Sequence, residues 1–104
     1  MKSTVKMIAA LAVILALASC GTPPTACITV VTPTDSIRVG KPVQFDGTCS
    51  ADEKSYRWDF SNGEISTSGQ PTMTFDSARD YEIFLLVTND RKTANTSKTI
   101  TVKP

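Results

Sequence analysis

SYRWDFSNGE, residues 55–64, is the stretch on which the fold turns. It holds the chain's only tryptophan, and Tyr56, Trp58 and Phe60 alternate with Arg57 and Asp59. A period of two is the mark of a half-buried β-strand, because successive side chains leave on opposite faces. Three rings then point into a core and two charges point to water. Each large apolar side chain taken from water contributes about 1.5–3 kcal/mol, so this strand anchors whatever core the chain has. Asn62-Gly63 follows as a hairpin turn signal, since glycine accepts φ > 0 without steric penalty. Asp59, just ahead of that turn, is placed to accept backbone N–H bonds.

The same alternation continues on both sides. VQFDGTC (43–49) sets Val43 and Phe45 against Gln44 and Asp46. CITVV (27–31) and SIRV (36–39) read as one strand broken at Thr32-Pro33-Thr34. EISTS (64–68) and TMTF (72–75) are short strands, YEIFLLVT (81–88) is the longest, and TSKTITV (96–102) is the last. No helical period competes with them. Short strands recurring every 8–12 residues or so, with turns between, predict an all-β sandwich of about seven strands.

Taken together, VGKPVQFDGTCS (39–50), SYRWDFSNGE and the run from Thr67 to Val102 resemble a PKD domain, an immunoglobulin-like β-sandwich. The resemblance covers about residues 26–102. Trp58-Asp59-Phe60 matches the start of the family's WDFGDG motif, but Ser61-Asn62-Gly63 stands where that motif has GDG. Met73 and Phe75 replace a His and a Tyr of the family pattern, and the glycine before Tyr81 is missing. The resemblance implies that Tyr56, Trp58, Phe60 and Tyr81 belong to the core, with Ile83, Leu85 and Val87 facing inward.

That assignment leaves Glu82, Phe84, Leu86 and Thr88 on the outer face. Family members place Thr-like residues at such positions, whereas two here are large and apolar. Arg57 and Asp59 are expected to flank Phe84 and Leu86 on one side, with Thr99 and Thr101 on the other. Single exposed apolar residues are common, and the stem of Arg57 could cover them. The sharper reading is a contact patch for a protein or a glycan.

The beginning of the chain reads as a leader. Lys2 and Lys6 precede the apolar run MIAALAVILAL (7–17), which is shorter than the 20 or so residues a spanning helix needs. LASC (17–20) resembles a bacterial lipobox. It implies cleavage before Cys20, a diacylglyceryl thioether on its sulfur, and an acyl chain such as palmitate on its amine. The alternative is an ordinary secretory signal with a chance cysteine. The expected organisation is a leader over 1–19, a lipidated Cys20 with a Pro-rich tether over 20–26, and the sandwich over 27–104. A tether of that length reaches about 20 Å, so the domain would lie close to the bilayer. The expected location is the bacterial cell envelope. Gly21 favours the outer membrane in a host with two membranes, because it lacks the Asp that retains lipoproteins in the inner one.

If Cys20 carries lipid, Cys27 and Cys49 remain as a pair in an oxidising compartment. Closing that loop would stabilise the domain by about 3 kcal/mol in the chain-entropy model.

Several function classes fall away. The chain has no histidine, so acid–base work would rest on carboxylates, Lys or Tyr, and no nucleophile has a recognisable activating partner. Neither an enzyme nor a bound cofactor is expected. Two thiols without histidine do not complete a zinc site. No metal is expected, although a weak calcium site at Asp46, Asp52 or Asp59 stays open. Without Lys2 and Lys6, nine basic residues face ten acidic ones, which is no footprint for nucleic acid. The expected function is a membrane-anchored, non-catalytic protein-binding module, an accessory subunit of a cell-envelope assembly. A carbohydrate-binding or adhesion module for surface polysaccharide or peptidoglycan is the alternative, and a purely structural lipoprotein is a third.

Overall fold

The computed structural model describes residues 23–104. The expected leader over 1–19, the expected lipid on Cys20 and the start of the tether lie outside the described residues. Among the described residues no helix is long and apolar enough to cross a membrane.

Seven strands follow in order: β1 (Thr29–Val30), β2 (Val43–Asp46), β3 (Ser55–Asp59), β4 (Ile65–Ser66), β5 (Thr72–Met73), β6 (Asp80–Thr88) and β7 (Thr93–Thr101). They form two antiparallel sheets, β1-β2-β5 and β4-β3-β6-β7. The all-β sandwich expected from the alternation is therefore present. Its core lies between the sheets, where β2 contributes Val43 and Phe45 and β6 contributes Tyr81, Ile83, Leu85 and Val87.

Trp58 on β3 and Phe60 just past its end point into this core with no exposed surface. Their rings lie nearly parallel, 5.8 Å apart, and Phe45 meets them from the facing sheet at 5.9 and 5.2 Å. A buried indole N–H needs an acceptor; Trp58 Nε1 finds one in the Ser68 carbonyl at 2.7 Å. The Tyr81 ring is buried and its hydroxyl donates to the Ser77 carbonyl at 3.0 Å, pinning the loop that enters β6. Tyr56 packs on the core but is only half-buried. Its hydroxyl must reach a partner, and it donates to Glu53 Oε2 at 3.0 Å.

Three expectations are corrected. SIRV (36–39) is not a strand: Thr34–Ser36 forms a 3-10 turn, and Arg38 makes a single parallel bridge to Lys103. Here the chain leaves the β2 sheet and joins the β7 sheet, and a segment changing sheets cannot keep a ladder with either. The β3–β4 connection is wider than a two-residue hairpin, with Phe60 N–H donating to the Glu64 carbonyl at 3.2 Å. Ser61 takes φ 59° and Gly63 φ 90°, and the side chains of Asp59 and Asn62 accept the N–H groups of Ser61 and Glu64. Asx acceptors of this kind support such local turns. Finally, β7 starts at Thr93, three residues before the expected 96.

Cys27 and Cys49 form a disulfide with Cα atoms 5.4 Å apart. It closes the end of the β1–β2 pair, where Cys27 N–H also donates to Ser50 Oγ at 3.0 Å. The crosslink stays on the smaller sheet and leaves the outer face of the larger one untouched.

Candidate functional site

The site is the outer face of the sheet β4-β3-β6-β7, and its composition follows from strand register. Asp59 pairs with Phe84, and Phe84 pairs with Ser97. Ile65 on β4 lies opposite Asp59. One row, Ile65–Asp59–Phe84–Ser97, thus crosses all four strands. The next row is Arg57–Leu86–Asn95. Ile65 is 44% exposed and Phe84 43%, while Leu86 is half-buried. With adjacent strands about 4.8 Å apart, Ile65 and Phe84 stand about 10 Å from each other across Asp59.

The structure brings Phe84, Leu86, Arg57 and Asp59 together as the alternation implied. It does not bring Thr99 and Thr101 beside the two apolar residues. They lie on the same face but opposite Glu82 and Asp80, and Ser97 and Asn95 take the flanking positions. The cause is the tight β6–β7 turn, in which Asn89 N–H donates to the Lys92 carbonyl at 3.0 Å and Thr88 pairs with Thr93. Once that turn closes, position 84 must meet position 97. A shift of four residues along β7, from Thr99 and Thr101 to Asn95 and Ser97, preserves the face because the side-chain period is two.

Sequence reasoning missed Ile65, Ser97 and Asn95 as members of the site. EISTS contains Ile65, but a strand of two residues is too short for alternation to say which face it takes. Ser97 and Asn95 needed the β6–β7 register.

The polar groups on this face are partly engaged. Ser97 Oγ donates to Glu82 Oε2 at 2.9 Å, and Thr101 Oγ1 donates to Asp80 Oδ1 at 2.7 Å. Asp59 Oδ1 accepts the Ser61 N–H at 2.9 Å, so this carboxylate serves the turn on one of its oxygens. The resulting surface sets apolar side chains among charged and hydroxyl groups. Such a face can cover a partner's apolar surface and hydrogen-bond at its rim.

Asp46 lies on β2 in the other sheet. Its Oδ1 accepts the Thr48 N–H at 2.7 Å and the Thr48 hydroxyl, and its Oδ2 accepts Gln70 Nε2 at 3.2 Å. Led by the Thr48 hydroxyl, these bonds hold its carboxyl below the ordinary value. Burial, with help from the Glu53 carboxylate, raises the Tyr56 phenol above its ordinary value. Among the described residues no three His, Cys, Asp or Glu side chains gather where they could hold a metal ion, so Asp46, Asp52 and Asp59 are not brought together.

A family model described as "PKD domain" matches residues 22–104. Collagenase ColA from Clostridium perfringens is 38% identical over 78 residues, 70% of this chain, and the chain spans 7% of that relative's length. The PKD1 domain from the Vibrio cholerae metalloprotease PrtV superimposes with a TM-score of 0.65 at 31% identity, covering 80% of this chain and 100% of that one. A structure of carbohydrate-binding modules from the β-sandwich superfamily superimposes with a TM-score of 0.73 at 26% identity, covering 79% of this chain and 35% of that one.

Proposed function

We propose, for a chain that belongs to the PKD domain family, that it works as a non-catalytic binding module with the β4-β3-β6-β7 face as its contact surface. The observation that carries this reading is the row Ile65–Asp59–Phe84–Ser97, in which two large apolar side chains stay more than two-fifths exposed on an otherwise polar sheet. The partner that fits best is a protein. Ile65, Phe84 and the half-buried Leu86 form a low apolar relief, and Arg57 and Asp59 supply opposite charges beside it. Interfaces favour this combination of aromatic and aliphatic anchors with an Arg at the edge. The lipobox resemblance at residues 17–20 supports attachment to a bilayer through acylated Cys20, and with it a role as an accessory subunit of a cell-envelope assembly.

A glycan is the second reading, and one observation favours it. Phe84 offers an exposed ring with Asp59 and Ser97 paired on either side, and the fold is similar to that of carbohydrate-binding modules.

The test is crosslinking and recovery from native membranes, with wild type beside Phe84→Thr/Leu86→Thr. A protein recovered with wild type and lost with the double variant establishes the face and its class of partner. Retention of polysaccharide with no protein moves the function to the glycan reading. Partners kept equally by both forms overturn the assignment of the face. Labelling with a palmitate analogue, lost in Cys20→Ala, tests the anchor separately.

A further inference from the structure

The free edge of β7 is a second feature with the makings of a site, and it is independent of the outer face. Among the described residues β7 pairs with β6 alone. Val102 N–H donates to the Arg79 carbonyl at 2.9 Å, which places the even-numbered residues of β7 in the hydrogen-bonded pairs with β6. Antiparallel ladders alternate, so the N–H and C=O groups of Asn95, Ser97, Thr99 and Thr101 point away from β6. Lys103, next in that series, shows what such groups do when a strand arrives. Its N–H donates to the Ile37 carbonyl at 3.0 Å, and its carbonyl accepts the Val39 N–H at 2.8 Å. Upstream of that bridge, the turn over Thr34–Ser36 carries the chain away and the edge stays open.

Beside this edge lies a cleft of about 570 Å³ between β1 and β7. Its floor is apolar: Ile28, Ile37 and Ile100 line it, each under a tenth exposed. Lys98 and Lys103 stand on the β7 side and Asp35 opposite. The one ion pair among the described residues is Lys54 with Asp90, so neither cleft lysine is neutralised by a carboxylate there. Natural edge strands are usually short, bulged or heavily charged to prevent strand addition. This one runs nine residues with Lys98 as its single charge.

We propose that the β7 edge and its cleft dock an extended peptide strand carrying an apolar residue with an acidic residue two positions away. Strand addition satisfies the open N–H and C=O groups, and side-chain pockets then choose the sequence. In an added strand, residues two apart share a face. An apolar side chain over the Ile28, Ile37 and Ile100 floor therefore puts one neighbour, two positions away, towards Lys98, which shares the core-side face of β7 with Ile100. Charge complementarity selects this occupant over a second copy of the chain. Two β7 edges pairing with each other would put two Lys98 side chains on one face of the joint, and like charges there are destabilising.

The probe is a blocked threonine heptapeptide with valine at its centre and glutamate two positions to each side. Its symmetry serves either strand direction. Titrated into isotope-labelled full-length protein, it is expected to shift the amides of Asn95, Ser97 and Thr99 and the methyls of Ile28 and Ile37, saturably. A glutamine version should bind roughly tenfold more weakly, as should the glutamate peptide to Lys98→Glu. A lysine version should recover binding to that variant, which separates lost charge from lost folding. Absence of edge shifts, shifts confined to the Phe84 face, or indifference to charge overturns the proposal. Edge shifts that grow with protein concentration alone, with the mass of a dimer, assign the edge to a second copy and overturn it too.

Discussion

Gly47 lies under the Trp58 indole so closely that a Cβ at this position would stand 2.8 Å from Trp58 Cζ2 and 3.1 Å from Leu85 Cδ2. Both neighbours belong to the packed core and have no exposed surface, so neither can yield cheaply. The constraint is space rather than backbone conformation. Gly47→Ala is expected to cost about 1–3 kcal/mol, the usual cost of overpacking. A urea titration followed by Trp58 fluorescence reads this directly. An unchanged midpoint would mean that the indole has room to shift.

The disulfide should matter to stability and not to recognition. Its ends are 22 residues apart in sequence. The chain-entropy model then gives about 3 kcal/mol for the crosslink. Cys27→Ala/Cys49→Ala should lower the denaturation midpoint accordingly while the chemical shifts of Phe84 and Ile65 stay in place. Shifts that move on the larger sheet would show that the crosslink also shapes the candidate face.

Phe84 and Leu85 are adjacent on β6 and face opposite ways, one 43% exposed and the other fully buried. Phe84→Ser is expected to change stability by no more than about 0.5 kcal/mol. Leu85→Ala should cost about 2–5 kcal/mol, because it empties part of the core. Thermal melts of the two variants decide the first point, and partner recovery with Phe84→Ser decides the second. A large stability loss from Phe84→Ser would identify it as structural and remove it from the binding face.

Asp46 should give the acid limb of the stability curve a recognisable component. Its carboxyl titrates lower in the folded chain than the ordinary value of 3.8, with the Thr48 hydroxyl bond as the largest cause. Its contribution is therefore complete above the unfolded value and is lost as pH falls through the folded one. Asp46→Asn should flatten the fall in stability in that acid window and leave the slope above about pH 5 unchanged. Urea midpoints of both proteins across the window provide the measurement. Parallel curves would show that the Thr48 and Gln70 bonds contribute equally in both protonation states.

The core of this domain was legible because its signal is local. Tyr56-Arg57-Trp58-Asp59-Phe60 and the alternation through 81–88 state which side chains share a face, and that depends only on the pleat of one strand. The turn at Thr34–Ser36 was not legible. Ile37 and Val39 look like strand residues, and only the need to pass from one sheet to the other breaks the run. Ile65 was not assigned to the outer face either, because it gains its position by pairing with Asp59.

By itself, the sequence determined an all-β sandwich, its aromatic centre at Trp58 and Phe60, and the face on which Phe84 and Leu86 lie. The pair Cys27–Cys49 followed from it only on the condition that Cys20 is taken by lipid. Tertiary structure decided that Ser97 and Asn95, not Thr99 and Thr101, stand beside them, and that Ile65 extends the row. It also decided that β7 keeps an open edge above an apolar cleft. The physical reason is one of range. Side-chain alternation is a property of a single strand. Cross-strand neighbours are set by where a turn closes, and open edges by where the chain changes sheets.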